Sequence, residues 1–301
     1  MKTKHFLYGG VCLGIATALL RIVQYTSAID EQGFYRAGSL SSFLSGCLVG
    51  LMLVGCVWSL LAKARQKEQV TAEALLPHGA ADLLFWGLAL ASAAFGIYRI
   101  YLAATHGSLD FNLPGSIPQP SYYFGEPTLD WPGALVGGLS LLGAIGWVVL
   151  CYRRETGFML LPILQLGAII IDYFWATYQF IHVSGYILMT LGLCVLLLCT
   201  VSLAKASVGA VCTRGRLAGF SVLAVCTLPA CFTEAFFHPT LPNLLLAVLA
   251  ILFYALAIFI LLQLDKPTPL PQEEAEAPDL SALNQYFSEI PEEEQNDEEN
   301  R

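Results

Sequence analysis

The chain has 301 residues, of which 56% are apolar and 13% charged, against about 25% charged in an average soluble domain. Apolar runs of 18 or more residues recur along it, and most lack the polar face that a soluble helix presents to water, so a soluble helical core is excluded in favour of membrane helices. These apolar runs make the lipid bilayer the main expected partner; no nucleic-acid partner is expected, and the formal net charge of −8 reflects the acidic C-terminal segment.

Eight transmembrane helices are predicted: 6–26, 40–62, 80–104, 132–152, 158–180, 184–204, 217–237 and 243–264. The fold class is an all-α polytopic bundle over residues 1–264. The first helix follows Lys2 and Lys4 and carries Arg21, Gln24 and Tyr25 on one face through i, i+3, i+4 spacing. Its start and Thr26-Ser27-Ala28 also fit a cleaved signal peptide. Arg21 and Gln24 interrupt the apolar stretch before that site, which favours a retained helix.

The second helix holds Gly46-xxx-Gly50, and the first holds Gly10-xxx-Gly14. Both are small-xxx-small patterns that let helix backbones approach. The third helix opens with Asp82 and carries Arg99 in its second half, where Tyr98-Arg99-Ile100 echoes Leu20-Arg21-Ile22. That echo, with the hairpin pattern, suggests a repeated unit. The connection 105–130 contains Pro114, Pro118, Pro120, Pro127 and the aromatic run Tyr122-Tyr123-Phe124. Proline fixes φ and removes a donor, so this segment is read as irregular: either a cap over a mouth or a loop on the headgroups.

The fourth helix is rich in glycine: Gly133-xxx-Gly137 begins it, and Gly138, Gly143 and Gly146 follow. The fifth carries Gln165, Asp172, Trp175 and Gln179, continued by His182, as a polar and aromatic stripe expected to face inward. The seventh is read as continuous to residue 237, with Glu234 near its end.

Basic residues test the count. Lys2 and Lys4, then Lys63, Arg65 and Lys67, then Arg153 and Arg154, then Lys205, Arg214 and Arg216, and finally Lys266 occupy every second connection. The alternate connections hold Arg36 alone. This positive-inside pattern predicts both termini in the cytoplasm and a multi-pass protein of a cell membrane, a bacterial inner membrane being the favoured one. None of the nine cysteines falls in a predicted outer loop, so no disulfide framework is expected.

Composition changes at Asp265. The last 37 residues carry twelve acidic and two basic side chains, a pattern of cytoplasmic disorder. Within this tail, 279–290 reads as a short helix with Leu280, Leu283, Phe287 and Ile290 on one face, a candidate docking motif for a cytosolic protein.

No zinc, nucleophile-elbow, phosphate-loop or dinucleotide motif occurs, so a non-enzymatic protein without a cofactor or metal is expected. The leading chemistry lies in Arg21, Arg99, Asp172 and Glu234, each inside a predicted span, where an ionisable side chain costs roughly 3 kcal/mol or more. Three readings follow: structural ion pairs, an outward-facing cavity binding or moving a small polar or anionic solute, and proton or ion coupling through Asp172 and Glu234. The solute-binding reading leads, its site lined by Arg21, Gln24, Tyr25, Arg99, Asp172, Trp175, Gln179 and Glu234. A sensor or scaffold acting through the tail is the alternative. The predicted cytoplasmic half offers mainly Asp82, Ser140, Gln165 and Thr200, which counts against transport.

Overall fold

The computed structural model describes residues 3–29, 38–65, 69–70, 76–105, 130–154, 156–177, 184–208, 212–237 and 239–264. The predicted docking residues Leu280, Leu283, Phe287 and Ile290, the connection 106–129, and Gln179 and His182 lie outside these residues. Eight helices are long and apolar enough to cross a membrane among the described residues, which suggests a multi-pass membrane protein. They are α1 (Thr3–Ala28), α2 (Ser39–Arg65), α3 (Ala80–Ala104), α4 (Trp131–Tyr152), α5 (Leu160–Thr177), α6 (Ser184–Ser207), α7 (Arg214–Cys231) and α8 (Leu241–Gln263). In lipid a helix meets its own backbone hydrogen bonds, so an apolar sequence of this length needs no partner strand to be tolerated there.

The bundle is built around α7, the helix with the largest buried share. It packs against α1, α2, α6 and α8. The helices α3, α4 and α5 form a consecutive layer joined to the rest through contacts of α3 with α8 and of α5 with α6. Trp147 of α4 fastens this layer: its ring stacks on Phe85 of α3 (6.0 Å between centroids) and meets Phe253 of α8 edge-on (5.5 Å). Away from the spans, Gln69–Val70 (β1) pairs antiparallel with Cys212–Thr213 (β2), tying the segment after α2 to the segment before α7.

At several helix crossings glycine lets the backbones come close. On α1, Gly10 lies against the Val225 side chain of α7, and a Cβ at Gly14 would overlap the Val225 carbonyl. Pro229 lies four residues after Val225 inside α7 and has no N–H to offer that carbonyl, which is therefore free to face Gly14. Thr17 Oγ1 donates to the next carbonyl, Cys226 O (3.1 Å). On α4, Gly137 meets Gly96 and Ile100 of α3, while Gly143 and Gly146 meet Gln165 and Pro162 of α5. The expectation for Gly46-xxx-Gly50 needs correction: neither glycine has anything within 4 Å of where its Cβ would stand. Glycine spacing permits close approach but does not select the partner.

The seventh helix also departs from its predicted continuity. It ends at Cys231, turns through Phe232 and Thr233, and resumes as a single helical turn, Glu234–Phe237. Glu234 therefore starts a separate turn rather than closing a long helix. Pro229, two residues before the end of α7, removes one ladder hydrogen bond and weakens the continuation.

Candidate functional site

Arg99 and Asp172 come together in the α3–α4–α5 layer. Arg99 Nε donates to Asp172 Oδ2 (2.9 Å) and Nη2 to Asp172 Oδ1 (3.0 Å), the two-pronged geometry that suits a planar guanidinium. A second carboxylate completes the group: Asp130 Oδ2 lies 2.8 Å from Arg99 Nη2. The Arg99 side chain is 6% exposed, Asp172 10% and Asp130 34%. Arg99 Nη1 is buried and finds no hydrogen-bond partner.

Three local devices place these groups. Asp130 is the N-cap of α4, its Oδ1 accepting from the Gly133 N–H (3.1 Å), and Pro132 follows in the first turn, where a missing donor does no harm. Gly133 gives the guanidinium its place, because a Cβ there would overlap Arg99 Cζ and Nη1. The third device is the α5 face that carries Asp172. Sequence reasoning passed over Asp130, although Asp130-Trp131-Pro132 ahead of an apolar run is the signature of a capped helix start.

With both carboxylates ionised the trio carries one negative charge in excess. Arg99 is therefore no open fork for an anion. What the group offers is a surplus carboxylate, the more exposed Asp130, beside unused guanidinium donors.

The other predicted residues gather elsewhere. Arg21 is 1% exposed; its Nη1 donates to Gln24 Oε1 (2.7 Å), and Gln24 Nε2 donates to Ser45 Oγ of α2 (3.0 Å). Tyr25 stacks on Phe237, with ring centroids 4.3 Å apart. This polar cluster joins α1, α2 and the turn after α7. The predicted single cavity thus resolves into two groups, one around Arg21 and one around Arg99. Glu234 begins the turn that carries Phe237.

Trp175 corrects the expected inward stripe of α5, since it is 76% exposed. The buried positions of α5 are Pro162, Gln165, Leu166, Ile169, Tyr173 and Thr177. Apart from the adjacent Gln165 and Leu166 they step by three and four along one face, and Trp175 falls off it. An exposed tryptophan near a helix end matches an interfacial anchor.

A second charged cluster occupies the opposite end of α3 and α4, and nothing in its residue pattern announces its burial. Arg154, grouped above with Arg153 as a loop charge, is buried. Its Nε donates to Leu76 O (2.7 Å) and its Nη1 to Leu150 O. Its Nη2 pairs with Asp82 and lies 3.3 Å from His78 Nδ1. Its guanidinium sits over the Phe85 ring, 5.2 Å from the centroid. Gly79, at φ +107, turns the chain so that its N–H reaches Asp82 Oδ2 (2.8 Å) at the start of α3. Arg154→Leu is expected to cost about 3 kcal/mol, because it strands Asp82 and two carbonyls. Arg153→Leu, at an exposed position, is expected to stay within about 0.5 kcal/mol. Thermal unfolding of the two variants in detergent checks the contrast.

Compared with known proteins, the chain matches no family model, no curated sequence and no solved structure.

Proposed function

We propose that this chain is a multi-pass cell-membrane protein, with both termini in the cytoplasm, that binds a small polar solute at the outward end of α3, α4 and α5. The alternation of basic connections supports that orientation and fits a bacterial inner membrane. Under it, Arg99, Asp130 and Asp172 lie toward the outer face.

The observation that carries the reading is the pairing of one guanidinium with two carboxylates while Arg99 Nη1 keeps unused donors. A solute suited to this group brings a cationic or hydroxyl donor for Asp130 and an oxygen acceptor for Nη1. Zwitterions and polyols meet both halves of that requirement, and amines meet the half that engages the surplus negative charge. A simple anion meets only half of it and is repelled by the surplus charge, so the broader expectation of an anionic solute is narrowed. Ligand sites commonly combine a few such polar groups with apolar walls.

The experiment is thermal unfolding of the detergent-purified protein with and without a panel of zwitterions, amines and polyols, repeated on Asp130→Asn. The expected result is a stabilising shift in the parent protein that the variant loses while its unliganded midpoint changes little. No shift with any solute would overturn the reading.

One observation favours a second role for the same residues. Two-pronged pairing between α3 and α5, with the α4 cap added, is also a lock that holds three helices in register. The two roles are compatible, since a solute engaging Asp130 leaves the Arg99–Asp172 pair intact.

A further inference from the structure

The α3–α4–α5 layer holds a third polar group, between its two charged ends. Gln165 of α5 is 1% exposed, and neither its amide oxygen nor its amide nitrogen has a hydrogen-bond partner. Ser92 of α3 is 0% exposed and its hydroxyl is likewise unpartnered.

Helix register places the two at one height. Across α3 and α4, Cys151 Sγ reaches Asp82 O (3.8 Å), Gly96 faces Gly137, and Arg99 faces Gly133. This antiparallel register sets Ser92 level with Leu141. Across α4 and α5, Gly143 faces Gln165 and Gly146 faces Pro162. Gln165 is thus within about 3 Å of Ser92 in height, at 1.5 Å of rise per residue. By the same rise, Asp82 and Arg99 are about 26 Å apart along α3. That separation is close to the roughly 30 Å hydrocarbon thickness, and Ser92 and Gln165 fall near its middle.

An amide and a hydroxyl without partners are costly in such a place, because lipid offers neither donors nor acceptors. We propose that Gln165 and Ser92 form a midplane binding site for a hydroxyl group, supplied by water or by a small polyol. A hydroxyl both donates and accepts. It can accept from Gln165 Nε2, donate to Gln165 Oε1 and complement the Ser92 hydroxyl in either sense. Ser140 of α4, buried at the same crossing with its hydroxyl on Val136 O (2.9 Å), keeps spare acceptor capacity beside them. The site involves none of the residues of the Arg99 group, so each proposal stands or falls separately.

The test is hydroxyl-radical footprinting of the full chain in detergent, with brief X-ray pulses generating radicals from bound water. Oxidation is read at Leu166, next to Gln165, and at Trp147, one turn from Gly143, and normalised to exposed Trp131. The expected result is labelling of Leu166 severalfold above Leu193, an equally buried leucine of α6, with loss of that excess, and a matching fall at Trp147, in Gln165→Leu. Ser92→Ala, a smaller change, is expected to lower it in part. Added glycerol separates the sources: a selective fall at Leu166 and Trp147 assigns the site to a polyol hydroxyl, and no selective fall assigns it to water. Labelling of Leu166 no higher than Leu193, or labelling of Leu166 and Trp147 equal in Gln165→Leu and the parent protein, would overturn the proposal.

Discussion

Arg99→Leu is expected to destabilise the protein by about 3–5 kcal/mol, the usual cost of stranding a buried charge. The variant leaves Asp130 and Asp172 close together with no cation between them. Asp172→Leu should cost less, because Asp130 still faces the guanidinium at 2.8 Å. Asp130→Asn should cost least, since the side chain is partly exposed and an asparagine retains the α4 N-cap. The double variant Arg99→Leu/Asp172→Leu is expected to recover most of the loss, because the two buried charges vanish together. Midpoints of thermal or denaturant unfolding for the four variants give the coupling directly. Additive losses from Arg99→Leu and Asp172→Leu would show that the two side chains do not depend on each other.

Gly14→Leu is the second large effect. The new side chain would meet the Val225 carbonyl, which is backbone and cannot rotate away, with the Pro229 ring beside it. Overpacking of this kind costs typically 1–3 kcal/mol, and the upper end is expected because the obstacle is rigid. The same substitution at Gly46 is the control. That position has open space around it, so Gly46→Leu should stay within about 0.5 kcal/mol. Paired unfolding curves decide the matter. A Gly46→Leu loss as large as that of Gly14→Leu would mean that a partner helix covers α2 at that face.

These cases show what the sequence can and cannot convey. Apolar runs of sufficient length made the eight helices legible, because a membrane segment must be long and apolar whatever its neighbours. The place of Arg99 and Asp172 within long apolar helices was legible for the same reason: a charge inside an apolar run stands out. Their partner Asp130 was not, because it lies at a helix boundary where an aspartate is ordinary. Arg154 was misread because a cation just beyond a span satisfies the positive-inside rule whether it is solvated or buried. Only the fold brings Leu76 O, Leu150 O and Asp82 around it. Trp175 was misassigned because a stripe read from Gln165 in steps of seven and three drifts off the buried face over nearly three turns. Gln165 stood out as polar, but its burial against Gly143 depends on which glycines meet which helices.

The most direct test of the Arg99 group is its preference for charge. Thermal unfolding is measured against a matched series in which a short carboxylate, the corresponding amino acid and the corresponding amine differ only in charge. The expected result is stabilisation by the amino acid and the amine, none by the simple carboxylate, and loss of both shifts in Asp130→Asn. Stabilisation by the carboxylate alone would contradict the account, because it would mean that Arg99 meets its ligand as an open cation rather than as the centre of a trio with negative charge to spare.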